Sequence, residues 1–341
     1  SIRSNNNYKM NLTELIQEKI LVLDGAMGTM IQRHQLTEED YRGIRFKDFH
    51  QSLKGNNDLL SLTQPEIIQE IHKAYLFAGA DIIETNTFNA NRISMLDYDM
   101  VDLVKELNVA SAKLALEVAD EITKQNPSKP RFVAGSLGPT NRTASISPKV
   151  NDPAFRNIDY DELVETYKEQ AIALLETGVH ALLVETIFDT LNAKAAFFGI
   201  MDAMEETGIE VPLMASGTIT DKSGRTLSGQ TTEAFLISLS HIPLFSIGLN
   251  CALGATDMVP YVEILSELAP FYVSVYPNAG LPNAFGGYDE SPEIMLENLK
   301  PMVENGWVNI IGGCCGTTPE HIQRMAEFVQ NYQPRKIPTL I

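Results

Sequence analysis

Eight short apolar runs, separated by longer amphipathic stretches, constrain this chain more than any other feature. They are "ILVLDGAMG" (20–28), "DIIETNTF" (81–88), "RFVAGSLGP" (131–139), "ALLVETIF" (181–188), "PLMASGTI" (212–219), "SIGLNCA" (246–252), "FYVSVYPNAG" (271–280) and "VNIIGGCCG" (308–316). Each is apolar almost throughout rather than alternating with polar residues. That is the pattern of a strand buried on both faces, as in a parallel sheet. Parallel strands need crossovers, and helical periodicity fills the gaps. The stretch 65–80 opens with Pro and closes near Gly; 161–178 has an acidic first turn; 318–332 opens with a capping Thr and Pro just inside. Eight strand–helix units in about 310 residues predict a single α/β domain, a (β/α)8 TIM barrel. A doubly wound open sheet is the alternative. It calls for G-x-G-x-x-G after the first strand, and the turn here is "DGAMGT".

The barrel is expected over 20–332. Residues 1–19 form an extension whose Leu12, Leu15 and Ile16 fall at helical spacing, predicting a short helix over the barrel's bottom. Residues 29–64 read as a long polar loop. Residues 333–341 carry two prolines and no period, and read as a loose tail or the start of an interdomain linker.

A net charge of -18 without a Lys/Arg stripe argues against nucleic acid as a partner. No run approaches the roughly 20 apolar residues of a membrane span. The polar start "SIRSNNNYKM" lacks the apolar centre of a signal peptide, so a cytoplasmic protein with no membrane association is expected. Three cysteines cannot build a disulfide framework.

Those cysteines fall at strand ends, beside other polar residues that stop the apolar runs: Asp24, Glu84–Thr85–Asn86, Glu185, Cys251, Asn278 and Cys314–Cys315. In a (β/α)8 barrel the C-terminal strand ends surround one mouth, so distant residues become neighbours there. Three thiolates match a catalytic zinc site, which keeps its fourth position open. Adjacent cysteines on a regular strand point to opposite faces, so Gly312, Gly313 and Gly316 are expected to let the chain turn. The competing readings are small core cysteines beside a tight turn, or a vicinal disulfide. The six histidines show no H-x-x-x-H or H-E-x-x-H spacing, and His72 and His321 sit in predicted helices. "DKSGRT", within 220–230, is not a phosphate loop and reads as a mobile βα loop.

The motifs "LDGAMGTMIQ", "LKGNND", "ADIIETNTFNAN", "GSLGPTN", "LLVETIFDTLNAKAA", "SGTITDKSGRTLSGQ", "GLNCALGA", "YPNAGLPNAFGGYDE" and "GGCCGTTPEHI" follow one another from about residue 20 to 330. In this order the chain resembles the homocysteine-binding module of the cobalamin-dependent methionine synthase family. The Cys…Gly-Gly-Cys-Cys signature is shared with betaine- and S-methylmethionine-dependent homocysteine methyltransferases. The resemblance implies a (β/α)8 barrel holding one zinc ion through Cys251, Cys314 and Cys315, with homocysteine's sulfur as fourth ligand. Asn278 is implied as the oxygen ligand that substrate displaces. Glu185 is implied as the partner of the substrate's ammonium, with Asp24, the backbone of Gly25 and Ala26, and Thr85 as further contacts.

The reaction implied is transfer of a methyl group from methylcobalamin to the zinc-bound thiolate, giving methionine. The cobalamin would be carried by another module, alongside methyltetrahydrofolate and reactivation modules. The corrinoid signature D-x-H-x-x-G is absent; the nearest run, Asp48 to Leu53, has Leu where Gly is needed. The alternatives are a free-standing homocysteine methyltransferase using a small sulfonium or betaine donor, and a non-catalytic homocysteine-binding module.

Overall fold

The computed structural model describes residues 10–144, 149–152, 154, 156, 158–220, 224–226 and 229–339. All eight apolar runs contain a strand: β1 Leu21–Val22, β2 Ile82–Glu84, β3 Phe132–Leu137, β4 Ala181–Ile187, β5 Leu213–Gly217, β6 Ser246–Gly254, β7 Tyr272–Asn278 and β8 Ile310–Ile311. Every pairing is parallel, in the order β1-β8-β7-β6-β5-β4-β3-β2. A bridge from Leu23 to Ile82 joins β1 to β2 and closes the ring. The fold is a (β/α)8 barrel.

Two apolar clusters explain why the strands are apolar on both faces. The outer one packs strand residues such as Val22, Ile83, Val133, Leu182, Ile247 and Val273 against the surrounding helices. The inner one holds Leu21, Leu23, Ile82, Ala134, Leu183, Met214, Tyr276 and Ile310. Leu12, Leu15 and Ile16 of the helix Leu12–Glu18 join that inner cluster and plug the barrel floor.

The helix punctuation works as its chemistry predicts. Pro65 opens Pro65–Ala78, and Gly79 ends it at φ 114°, where a side chain would be strained. Tyr160–Leu175 and Pro319–Val329 fill the other two predicted positions, the latter capped by Thr318 with His321 returning to the cap backbone.

Two expectations need correction. Residues 29–64 are not a plain loop: they contribute to the helices Met27–Gln32, Glu38–Arg42 and Leu60–Thr63, and to a 3-10 turn at Asn57–Leu59. A Thr37–Asp40 capping box starts the second, and the Arg42 guanidinium then gathers the carbonyls of Phe46, Lys47, Phe49 and Gln51. These helices are too short to show a period. The tail, read as loose, is held at Arg335, which donates to the carbonyls of Ser266, Ala269 and Phe271. The 220–230 loop lies partly outside the described residues, at 221–223, 227 and 228.

Candidate metal and substrate site

The mouth is built from strand ends. Cys251 lies near the end of β6, where the register with β7 shifts between Asn250 and Gly254. Cys251 and Ala252 both take left-handed conformations, φ 60° and 59°, without glycine. Such strain costs about 1–3 kcal/mol per residue and concentrates at functional sites. It turns Cys251 off the strand path.

Cys314 and Cys315 follow β8 in a loop pinned to β7. Cys314 N–H donates to Pro277 O, Cys315 N–H to Asn278 Oδ1 at 3.1 Å, and Ala279 N–H to Cys315 O. The glycines here act differently from expectation. Only Gly316, at φ 81°, uses backbone freedom. Gly313 supplies space: a Cβ there would stand 2.4 Å from Thr317.

The result is a cluster. The sulfurs of Cys251, Cys314 and Cys315 lie within 4.8 Å of one another, and Cys251 to Cys315 is 3.9 Å. With Zn–S bonds of about 2.3 Å, a tetrahedron has S···S edges of about 3.8 Å. The three sulfurs therefore fit a zinc ion with little movement. The chemistry of the set agrees. Hydrogen bonds from Cys251 and Cys314 draw the Cys315 thiol down to about 3, while hydrogen bonds to Cys251 and Cys315, and burial, push Cys314 well up. The sulfurs thus share protons with one another, and a bound cation would take the place of those protons.

A cavity of about 600 Å³ opens beside the sulfurs. Asp24, Thr85, Glu185, Cys251, Cys314 and Cys315 all line it, with Gly25 and Ala26. Glu185 is held by Tyr276 OH at 3.1 Å and Ser136 Oγ at 3.3 Å. Burial raises its carboxyl above the ordinary range. Asp24 Oδ2 accepts from Glu84 N–H at 3.1 Å, while its buried Oδ1 has no partner.

The remaining expected contacts are partly engaged. Thr85 Oγ1 accepts from Ser136 N–H and pairs with Thr87 Oγ1, which itself donates to Ser136 O. Thr85 is therefore the donor in that pair and keeps only acceptor capacity toward the cavity. Ala26 N–H donates to Thr317 Oγ1, and Gly25 is packed so closely that a Cβ would meet Tyr75 at 2.7 Å. Asn278 is buried with its Oδ1 on the backbone N–H of Cys315, the residue that carries one of the three sulfurs.

Two site residues escaped the sequence reading. Asn250 is fully buried and ties the site together: Oδ1 accepts from Thr186 N–H and Ser216 Oγ, and Nδ2 faces Thr186 Oγ1 and Cys314 Sγ at 3.9 Å. Tyr288 hydrogen bonds Cys315. Glu84, read from the sequence as a strand-end acid, also lines the cavity. Only the place of Asn250 beside Cys251 hinted at its role.

A model of homocysteine S-methyltransferases matches residues 21–329. The chain belongs to the homocysteine S-methyltransferase family. Membership assigns methyl transfer to homocysteine as its reaction class. The metallated form of the homocysteine methyltransferase MmuM from Escherichia coli has the same fold, with TM-score 0.72 and 21% identity over 92% of this chain and 98% of that one. The oxidized form matches at 0.72 and the apo form at 0.66, each at 21% identity; they cover 92% and 93% of this chain, and 97% and 98% of theirs. Among the described residues no helix is long and apolar enough to cross a membrane.

Proposed function

We propose that this chain is the homocysteine-binding module of a cobalamin-dependent methionine synthase, accepting a methyl group from methylcobalamin to give methionine. The observation that carries the reading is the meeting of three sulfurs, from β6 and the loop after β8, beside a carboxyl-lined cavity. The motif order from "LDGAMGTMIQ" to "GGCCGTTPEHI" supports the cobalamin-dependent branch. On this reading, the donor and its methyltetrahydrofolate supply sit on partner modules.

Cys251, Cys314 and Cys315 would hold zinc, which when bound keeps homocysteine's sulfur as a thiolate at neutral pH. Asn278 is proposed as the group nearest the fourth position before substrate arrives. Glu185 and Asp24 would take the ammonium. The backbone around Gly25 and Ala26 would face the substrate carboxylate, which requires Thr317 to release Ala26 N–H. Thr85, with acceptor capacity only, would add to the ammonium side.

Ionisation explains only part of the rate. A thiol of pKa near 8.5 is about 3% ionised at pH 7, so full ionisation gains roughly 30-fold. A fall in basicity of about 2.5 pK units costs about tenfold at a Brønsted slope of 0.4–0.5. Positioning must supply the remainder. Three anionic protein sulfurs also keep the substrate sulfur electron-rich where neutral imidazoles would not.

The test uses reduced, zinc-loaded protein with homocysteine and free methylcobalamin, following methionine, with Cys314→Ala as control. Methionine from the wild type alone supports the reading. Methionine only with a sulfonium or betaine donor favours a free-standing methyltransferase. Binding of zinc and homocysteine with no transfer from any donor would leave a binding module.

A further inference from the structure

Two successive residues of β4, Glu185 and Thr186, both line the cavity. A regular strand sends neighbours to opposite faces. Here the pairing with β5 shifts between Val184 and Ile187, and Thr186 takes φ 56°. A β-branched residue in that region is an outlier, and it persists only where its surroundings over-determine it. Asn250 does so. Thr186 N–H donates to Asn250 Oδ1 at 3.1 Å, and Asn250 Nδ2 donates to Thr186 Oγ1 at 2.9 Å. A backbone N–H can only donate, so the amide's orientation is fixed and Thr186 Oγ1 must accept. Asn250 lies on β6, which is not a neighbour of β4. The strand between them, β5, joins through Ser216 Oγ, 2.7 Å from Asn250 Oδ1. This clasp links the two ends of the proposed site. Thr186 follows Glu185, and Asn250 precedes Cys251.

We propose that Thr186 is a positioning residue that sets specificity: its clasp with Asn250 fixes the span between the Glu185 carboxyl and the Cys251 sulfur, and so selects a substrate by the number of carbons between its ammonium and its thiol. This rests on the homocysteine reading above. The Glu185 end is anchored by Tyr276 of β7 and Ser136 of β3. The Cys251 end is not anchored by its own ladder, because the β6–β7 register shifts between Asn250 and Gly254. The side chain of Asn250 supplies the missing tie. One methylene more or fewer is worth about 10–200-fold to a site that does not adjust. A loosened span follows a shorter or a longer thiol, and the discrimination falls.

Calorimetry on reduced, zinc-loaded protein compares three thiols: homocysteine, cysteine with one methylene fewer, and 2-amino-5-mercaptopentanoate with one more. The wild type should prefer homocysteine to either by at least about tenfold. Thr186→Val keeps the shape of the side chain and removes the acceptor, and that preference should fall about five- to tenfold. Thr186→Gly removes the same acceptor from a backbone that glycine adopts without strain. It should show the same fall even where the valine variant does not fold. Thr186→Ser keeps the hydroxyl and should restore the preference. Equal binding of all three thiols by the wild type would overturn the proposal. So would an unchanged preference, or equal losses for all three thiols, in the glycine variant. A wild type that binds none of the three would overturn the homocysteine reading.

Discussion

His72 lies in the helix Pro65–Ala78, fully buried, and neither ring nitrogen has a hydrogen-bond partner. Burial lowers its pKa from 6.5 to about 4. The sign follows directly. Between those two pH values the unfolded chain binds a proton that the folded chain refuses, so acid favours unfolding. Above pH 6.5 the group adds no pH dependence, and below about 4 its slope ends. At about 1.4 kcal/mol per pK unit, the total is about 3 kcal/mol. His72→Leu removes the titration, and it also removes two unsatisfied polar atoms, which cost roughly 1–3 kcal/mol when buried. The variant should therefore be more stable at pH 7 and gain a further advantage of about 3 kcal/mol by pH 4. Urea unfolding of both proteins across that range gives the difference directly, because carboxylate effects common to both cancel. Difference curves that stay flat between pH 6.5 and 4 would refute the reasoning.

Asn250→Ala leaves Thr186 N–H and Ser216 Oγ without their acceptor and frees the loop carrying Cys251. Outer partners of metal ligands are worth about 10–100-fold in affinity, so competition with a chelating dye should show a loss in that range; unchanged affinity would mean the cysteines hold their places unaided. Zinc should shield Cys251, Cys314 and Cys315 from iodoacetamide, and a chelator should expose all three to labelling, read by mass spectrometry; equal labelling with and without metal would contradict a three-sulfur site. Arg335→Ala strips a charged donor from three carbonyls. With charge-assisted hydrogen bonds worth about 1.5–3 kcal/mol each and partly replaced by water, denaturant unfolding should register a loss of at least about 2 kcal/mol. No loss would show the tail to be a passive strap.

The barrel was legible because burial on both faces is written along each strand, and Pro65 and Gly79 punctuate their helix in the sequence itself. The cysteine cluster was legible because strand-end position in a barrel implies proximity. Other features depend on long-range partners. Glu185 and Tyr276 lie 91 positions apart in the chain; their hydrogen bond follows from where β4 and β7 place them in the barrel. Thr186, Cys251 and Ala252 adopt glycine-like backbone angles that no residue type announces. The short helices after residue 29 were hidden because one or two turns cannot display a period.

The floor helix Leu12–Glu18 has a kinetic consequence on the proposed reading. With that end of the barrel stoppered by Leu12, Leu15 and Ile16, traffic uses the opposite end, where the cavity opens beside the sulfurs. The acceptor must enter before a bulky donor covers the opening, and the methylated product stays trapped beneath until the donor withdraws. Such a vessel imposes an order on arrivals and departures: first in, last out.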